Sequence, residues 1–444
     1  CFSFFNCLEN VWRFQTPLAG VCIDSVGAKP EVCDRRLGWN ATTPMTTGFV
    51  NWLGAGMLRA TLRMAKPGYR LSLGPFVSTP DTLIADPKYG FPCGYIETDR
   101  SKRGAYDAYH SSADTAQLLS PRGLAACAAA MAGYLYFLAD AASPEVMQLA
   151  ASETARALRR LPAGRKKLPA AQAEYVRTQH HVSIERLKRW MWGGDRGAIL
   201  SHLSDCERRV REAAEKAARK RPGKRRPKGA NRIPRRNVPL PPLAENLPQP
   251  IADRIAAAEL PRWTLYWADG DRSLAQIAEM AACERGKTVS VEHVARYFEA
   301  HAELGYVDLI EPKDMVRKSR LVADLKALGL KHGMDVMVHS SLSAIGHVAG
   351  GADTVIDALL AVIGKRGTLV MPSFNHHEAY VFNPMTTRTK NGLIPDAMWR
   401  RPEAVRSLQA SHSVAAIGPK ADAWCAGHLE AGIWGEDSPI ARLI

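Results

Sequence analysis

The chain has 444 residues, of which 46% are apolar and 23% charged, and its formal net charge is +15 at pH 7. This composition is ordinary for globular proteins, and the length exceeds that of most single cores, so we expect two to four domains. No uninterrupted run of 18 apolar residues exists, which argues against a membrane span, and the Ala-rich stretch 125–139 is interpreted as a buried helix.

The cysteines and the charge distribution narrow the setting further. The nine cysteines are scattered without a Cys-x-x-Cys pair, so neither a zinc ribbon nor a disulfide framework is favoured, and we expect a reducing, cytoplasmic location. The basic character belongs to one segment, because residues 156–236 contain 25 Lys/Arg and 7 Asp/Glu. Nucleic-acid binding is therefore not expected of the whole chain. Because the chain starts with Cys1 in an apolar run and stops just after a Ser-Pro motif, we expect a fragment truncated at both ends.

Residues 1–160 are predicted to be α/β. Residues 19–24 are typical of a core strand that ends on a carboxylate, Asp24, and residues 47–64 have helical spacing. Ser120-Pro121 marks the start of a long helix. His110 lies in the polar loop before that helix, and a His and a strand-end Asp are ligands suited to Zn²⁺. A loop His hydrogen-bonded to a neighbouring Asp is the alternative.

Two motifs in this region resemble the two-zinc aminopeptidase family. Tyr-His-Ser-Ser-Ala-Asp-Thr at 109–115 is similar to its last-ligand loop, and Cys-Ile-Asp-Ser-Val-Gly at 22–27 to its strand-end Asp. The resemblance implies a truncated zinc aminopeptidase-like hydrolase domain over residues 1–160, with Asp24 and His110 as zinc ligands. That family's upstream His, bridging Asp and paired Glu have no counterpart before Asp24, so a complete metal site is not expected in this chain.

The middle of the chain changes character twice. Residues 161–250 combine a charged helical pattern with a Pro/Arg-rich stretch that is typical of a linker, and nucleic-acid binding through residues 156–236 is the alternative. Residues 251–312 contain three helical patterns, the second and third capped by Ser273 and Ser290, and then a strand, which predicts a winged-helix-like unit. DNA binding is one interpretation of this unit, but its acidic third helix favours a packing spacer.

Residues 318–444 alternate strands and helices, as expected for a mainly parallel sheet with crossover helices. The fold class is thus multidomain α/β, with mixed or mainly parallel sheets at both ends and a central helical unit. A Ser/Gly-rich turn at 340–351 follows a strand and precedes a helix, a geometry in which backbone N–H groups bind phosphate. An ordinary Gly-containing turn is the alternative. His412, flanked by Ser411 and Ser413, is a titratable group suited to proton transfer.

A set of ordered motifs in this last segment resembles the aminoglycoside 3-N-acetyltransferase family. They occupy residues 338–346, 350–359, 367–374, 402–407, 412–418 and 435–439. The resemblance implies a truncated acetyltransferase domain that transfers an acetyl group from acetyl-CoA to an amine of an aminoglycoside, the chemistry of antibiotic resistance. Hydrolysis by the N-terminal domain and nucleic-acid association are the second and third hypotheses.

The same resemblance implies roles for individual residues. His412 would be the catalytic base or its orienting partner, and Ser413 would bind the CoA arm or the thioester oxygen. The path of the CoA phosphate and pantetheine would be lined by Ser340, Ser341, Leu342 and Gly346. Carboxylates would face the polycationic sugar, and the candidates by charge are Glu436 and Asp437, followed by Glu378 and Asp396.

One departure from the family pattern bears on activity. The family commonly has His-Pro before the His-Ser step, and Gln409-Ala410 stand at those positions here. If that histidine contributes to the site, we expect lower activity. The expected partner is a small amino sugar, and binding to a membrane or a nucleic acid is not expected. Assembly into a homo-oligomer is a further alternative.

Overall fold

The computed structural model describes residues 18–79, 81–87, 91–98, 107–164, 167–188, 196–219, 227, 229–238, 247–376, 382–384 and 387–443. They form two compact units. Unit 1 comprises Cys1–Ala230, Arg236–Ala268 and Leu274–Val307, as far as these ranges are described, and unit 2 comprises Asn231–Arg235, Asp269–Ser273 and Asp308–Ile444. Each unit combines helices with a small mixed sheet, which confirms the multidomain α/β class in that coarse form.

The sheet of unit 1 has four strands, named β1 (Gly20–Ile23), β2 (Arg36–Asn40), β3 (Arg70–Gly74) and β4 (Cys93–Glu97). Their spatial order is β1-β4-β2-β3. The β1–β4 and β2–β3 pairs are parallel, whereas β2 and β4 are antiparallel, so the sheet is mixed. The strand predicted at 19–24 is present as β1, but it lies at the edge of the sheet and none of its residues is buried, with Ile23 50% exposed.

The helices of unit 1 pack around this sheet and around one another. They are α1 (Val50–Ala65), α2 (Pro121–Asp140), α3 (Ser143–Arg160), α4 (Ala170–Leu187), α5 (Arg196–Ala217), α6 (Gln249–Ala257), α7 (Leu274–Arg285) and α8 (Val291–Glu303). The predicted start of α2 is confirmed, because the Ser120 hydroxyl accepts a hydrogen bond of 3.0 Å from the Gly123 N–H and Pro121 occupies the first turn.

Trp39 of β2 forms the centre of the main core. Its side chain is 2% exposed and lies against Tyr134 of α2, with ring centroids 5.8 Å apart. Two glycines make room for the indole, since a Cβ at Gly54 or at Gly94 would lie 2.1 or 2.2 Å from its ring carbons. A side chain at either position would therefore force the indole out of the core.

Helix α2 differs from its sequence-based interpretation. Its length and composition would allow it to cross a membrane. This is weak evidence for a membrane span, because the core helices of soluble proteins have the same length and composition. The expectation that it is buried is correct for one face only, since 33% of its most apolar window is buried and Leu135 and Tyr136 are exposed.

Part of the basic segment is packed structure. Helices α3, α4 and α5 enclose a second apolar cluster that includes Ala157, Val176, Val210 and Ala214. Two short strands, β5 (Leu168–Pro169) and β6 (Ala218–Arg219), pair in parallel at its end. The charged helical pattern is therefore packed structure over residues 167–188 and 196–219.

The predicted helices of residues 251–312 are present, with different bounds. The first ends at Ala257 and is followed by a 3₁₀ segment, Arg262–Trp267. The predicted cap of the third is confirmed, because the Ser290 hydroxyl accepts a hydrogen bond from the His293 N–H. Strand β8 (Val307–Ile310) follows and pairs with β7 (Ile233–Arg236). The winged-helix arrangement itself stays a prediction.

Unit 2 is built on a second four-stranded sheet. Its strands are β9 (Val336–Met337), β10 (Leu369–Pro372), β11 (Val405–Arg406) and β12 (Val414–Ile417), in the spatial order β11-β12-β10-β9. The β9–β10 pair is parallel, whereas β12 runs antiparallel to both β10 and β11. The sheet is therefore mixed, because the β11–β12 connection is a hairpin where a mainly parallel sheet would need a crossover helix.

The helices of unit 2 are α9 (Lys318–Ala327), α10 (Leu342–Ile345), α11 (Gly351–Ile363), α12 (Leu393–Trp399), α13 (Ala421–Cys425) and α14 (His428–Ala431). Ile356, Leu359 and Ile363 of α11 and Leu369 of β10 form one side of the core. The cysteines that the structure describes are all free thiols.

Candidate active site

His412 lies in the turn of the β11–β12 hairpin. The strands pair through Val405 with Ala416 and Arg406 with Ala415, and residues 407–413 connect them. The neighbouring loop after β10 closes over the turn, because the backbone N–H groups of Asn375 and His376 both donate to the Ser411 carbonyl. Two loops at one edge of the sheet thus hold His412 half-buried.

Gln409 organises this turn. Its side-chain oxygen accepts hydrogen bonds from the Ser411 N–H at 2.8 Å, the His412 N–H at 2.5 Å and the Ser411 hydroxyl at 3.0 Å. These donors require an acceptor, so they fix the orientation of the Gln409 amide. The residue that replaces the histidine of the family pattern therefore has a structural role in presenting His412.

The bonds around Ser411 also define the tautomer of His412. The Ser411 hydroxyl proton is directed to Gln409, so the Ser411 oxygen accepts the 2.9 Å hydrogen bond from His412 Nδ1. Nδ1 then carries the ring proton, and Nε2 carries the lone pair that accepts a proton. The role of His412 as a base stays a prediction.

Aromatic rings surround the imidazole. The centroid of the His412 ring lies 4.7 Å from that of Phe374, 5.7 Å from that of Trp434 and 5.9 Å from that of His376. Trp434 is 62% exposed, so one face of this group meets solvent. An aromatic wall beside a base suits a ligand that is apolar or cationic on the contacting side.

A buried polar layer supports the hairpin from below. Arg406 is 9% exposed and donates to the Ser373 carbonyl at 2.7 Å and to the hydroxyls of Ser373 and Ser413. Burial lowers the pKa of Arg406 to about 9, so the guanidinium still keeps its proton at pH 7. Its plane packs on Trp399, 4.6 Å from the ring centroid.

Ser413 belongs to this layer. It is 0% exposed, and its hydroxyl donates to the Ser373 carbonyl at 2.8 Å. Its position differs from that expected of a residue that touches CoA, because its side chain is fully buried and is bonded to Ser373 and Arg406. The described geometry gives Ser413 a supporting role under the site.

A second imidazole anchors the other end of the turn. His428 is 1% exposed, its Nδ1 lies 2.7 Å from the Ser407 hydroxyl, and its Nε2 lies 3.5 Å from the Ile433 carbonyl. Burial lowers the pKa of His428, so the ring is neutral near pH 7. The Ser407 hydroxyl in turn accepts the Val414 N–H at 2.9 Å, which ties His428 to the first residue of β12.

The predicted CoA-binding turn has a more complex structure than a strand–turn–helix unit. The Ser341 hydroxyl caps the short helix α10, Leu342 packs against the core, and Gly346 has a φ of +99° that favours glycine. At the start of α11 the Gly350 N–H donates to the carboxylate of Asp271. A carboxylate thus takes the place predicted for a phosphate at this helix start.

Ser340 differs from the other residues of this turn in its hydrogen bonding. Its hydroxyl is buried and has no hydrogen-bond partner among the described residues. Such a group costs free energy unless a ligand or water completes it. The assignment of Ser340, Ser341, Leu342 and Gly346 to CoA stays a prediction. Of these residues, Ser340 has a hydroxyl that could still form a hydrogen bond with a ligand.

The predicted carboxylates fall into two groups. Glu436 and Asp437 are exposed and follow Trp434 by two and three residues. Asp396 is 8% exposed and is already held by the Trp399 indole N–H and by Arg400, so it is a structural residue. Glu378 lies outside the described residues.

The N-terminal metal hypothesis gains no support from the geometry. Asp24 accepts a hydrogen bond of 2.7 Å from the Tyr95 hydroxyl, and His110 is an exposed residue stacked on Tyr109, with ring centroids 3.8 Å apart. Neither belongs to a described group of three or more potential metal ligands. The group found among the described residues is His181, Glu185 and Glu207, where Lys188 pairs with both carboxylates. Zinc binding by Asp24 and His110 stays a prediction.

Sequence reasoning missed the wall around His412. Phe374 is the last residue of the 367–374 motif, and none of the sequence motifs includes Trp434. A signal was present, because a Trp directly before the Gly435-Glu436-Asp437 motif is unusual for an exposed loop. The position of Phe374 beside His412 follows from the antiparallel β10–β12 pairing, which the mainly parallel prediction did not contain.

Comparisons with known proteins agree with the C-terminal resemblance. Residues 337–444 match the family model for aminoglycoside 3-N-acetyltransferase. Aminoglycoside N(3)-acetyltransferase VII of Streptomyces paromomycinus is 41% identical over 152 residues, which cover 29% of this chain and 52% of the relative. An aminoglycoside N(3')-acetyltransferase-like protein of Bacillus subtilis (strain 168) is 38% identical over 151 residues, which cover 28% and 55%.

A solved structure of AAC-IIIb with CoASH is 29% identical, covers 29% of this chain and 56% of its own, and has a TM-score of 0.27. The C-terminal part of the chain is thus similar in sequence to the aminoglycoside 3-N-acetyltransferase family over residues 337–444. The chain spans about half the length of the curated relatives it matches.

Proposed function

We propose that the C-terminal domain transfers an acetyl group from acetyl-CoA to an amine of an aminoglycoside or related amino sugar, with His412 as the general base. The observation that carries the proposal is the chain of hydrogen bonds from His412 Nδ1 through the Ser411 hydroxyl to Gln409. The names of the sequence relatives support the reaction class and the substrate class.

In this reaction the nitrogen of the substrate amine bonds to the carbonyl carbon of the thioester. His412 Nε2 accepts the proton that the nitrogen loses, and the carbon–sulfur bond breaks as the acetyl group is transferred. The sulfur takes up a proton and leaves as the CoA thiol. The Ser411–Gln409 pair keeps the imidazole in the tautomer and orientation that this proton transfer needs.

The surface beside His412 suits a cationic substrate. The exposed face of Trp434 can attract an ammonium group by a cation–π interaction, and Glu436 and Asp437 add negative charge along the same loop. Charge of this sign raises the local concentration of a polycation and its association rate. We assign the sugar to this side and the acetyl donor to the side of Ser340.

The proposal is tested by mixing the full chain with acetyl-CoA and an aminoglycoside and by following the released thiol. We expect thiol release that depends on the aminoglycoside and that falls to background in His412→Asn, which retains a polar side chain of similar shape. Thiol release equal to background in the unmodified chain, or unchanged release in His412→Asn, would overturn the proposal.

A further inference from the structure

Unit 1 contains a cavity that the proposed function does not use. Its volume is about 330 Å³, and it lies among the start of α1, the C-terminal half of α3 and the middle of α4. This volume lies within the range of small-molecule pockets, which begins at about 300 Å³. All of its lining residues belong to unit 1, so the cavity is independent of the His412 site.

Three arginines of α3 line the cavity, Arg156, Arg159 and Arg160. Arg160 donates to the Gln179 side chain at 2.8 Å and lies over the Tyr175 ring, which sets its direction. Arg156 approaches Glu153 only to 3.8 Å. Arg159 makes no ion pair or hydrogen bond within the described part of the chain, so its guanidinium is available to a ligand.

The polar floor does not neutralise these charges. Glu153 is the single acidic residue of the lining, and its two oxygens are held by the Trp52 indole N–H at 2.5 Å and the Ser183 hydroxyl at 3.0 Å. His180 is 4% exposed and bonded to Thr154, and burial lowers its pKa to about 4, so it is uncharged at pH 7. Three guanidinium groups thus face one carboxylate and a neutral imidazole.

We infer that this cavity binds a small phosphate monoester. The lining carries an excess of two positive charges, which matches a phosphate dianion and exceeds the charge of a monocarboxylate. Guanidinium groups bind phosphate oxygens in pairs, so the three arginines supply the contacts to the phosphate. The lining amides of Asn51 and Gln179 are bonded to neighbouring residues through both their oxygen and their nitrogen, so no ligand contact is assigned to them. The site is one of binding, and no chemical step is assigned to it.

The experiment is calorimetric titration of the full chain with glucose 6-phosphate, with glucose as the uncharged control and succinate as the dicarboxylate control. We expect submillimolar binding of glucose 6-phosphate and no binding of glucose or succinate. Inorganic phosphate should compete with glucose 6-phosphate. The probe contains no CoA, so His412→Asn should bind it as the unmodified chain does, which separates this site from the proposed acetyl transfer.

Variants then locate the site. Arg159→Gln has no internal bond to lose, so it should fold normally and weaken binding at least about tenfold, the effect of one charge-assisted contact. Arg160→Lys keeps the charge but loses the paired geometry, and should weaken binding by a smaller factor. Arg63→Gln, an exposed arginine of α1 outside the cavity, should bind as before. Absence of binding, equal binding of glucose or succinate, or unchanged affinity in Arg159→Gln would overturn the inference.

Discussion

The two units use titratable side chains in opposite ways. In unit 2, His412 is half-buried, and a chain of hydrogen bonds through the Ser411 hydroxyl to Gln409 holds its Nδ1. In unit 1, the Glu284 carboxylate is enclosed by the indoles of Trp267 and Trp263, which donate to it at 2.8 and 3.3 Å. A fixed acceptor orients the His412 ring for proton transfer, whereas enclosure by indole donors makes Glu284 part of the packed interior.

His412→Asn is the substitution that tests this contrast most strongly. The base is lost while the size of the side chain is nearly kept, so kcat for acetyl transfer should fall by roughly 10²- to 10⁴-fold, the usual contribution of a general base. Thiol release in the presence of an aminoglycoside measures it. A change in kcat of less than about threefold would show that His412 has a structural role like that of His428.

Glu284→Gln tests the other half of the contrast. Burial raises the pKa of Glu284 to about 7, so the folded chain holds a proton that the unfolded chain releases near its ordinary pKa. This contribution to stability is complete at low pH and is lost as the pH rises through about 7. The free energy of unfolding of the unmodified chain should therefore fall by about 2 to 3 kcal/mol between roughly pH 4.5 and 7.5 relative to the variant.

Glu284→Gln keeps an oxygen acceptor for the closer indole, Trp267, and has no group that ionises in this range. The loss of the second acceptor, at Trp263, is the same at every pH, so the difference in shape between the two pH profiles isolates the ionisation. Denaturant unfolding followed by tryptophan fluorescence at a series of pH values gives these profiles. Parallel profiles would contradict the assignment of a neutral, buried carboxyl to Glu284.

Gln409→Ala is expected to have an intermediate effect. It removes the acceptor for three donors in the His412 turn, and kcat should fall about tenfold while the chain stays folded. Leu408→Ala is the matched control, because Leu408 lies in the same turn and is 56% exposed. Equal effects of the two substitutions would show that any change in the turn disturbs activity and that the Gln409 acceptor has no special role.

His110→Asn should have the smallest effect. His110 is exposed at a φ of +57°, a conformation that Asn tolerates, so the free energy of unfolding should change by less than about 0.5 kcal/mol. Metal analysis of the full chain and of the variant tests the predicted zinc ligand, and the geometry favours equal zinc contents, because His110 stacks on Tyr109 and belongs to no described group of three potential ligands. Loss of zinc in the variant would contradict the difference drawn between the two units, because it would show that His110 of unit 1 is a metal ligand.

Local patterns predicted the elements of this protein well. Strand β1, the Ser120 and Ser290 caps and helix α11 agree with their sequence-based positions, because each depends on side chains within a few residues of one another. The pairing of the strands was not predictable in this way. The antiparallel β10–β12 pair requires contact between segments about 40 residues apart, and residue spacing carries no direct record of it.

The sequence by itself determined the local elements, the confinement of positive charge to one segment, and the family likeness of the C-terminal domain. Only the tertiary structure decided which polar residues act together. It buried the Ser413 side chain against Ser373 and Arg406, put the Asp271 carboxylate at the helix start predicted for a phosphate, and made Gln409 the acceptor that orients Ser411 and His412. The physical reason is that hydrogen bonds depend on distance and direction in space, which are set by strand pairing and packing and are absent from the order of the residues.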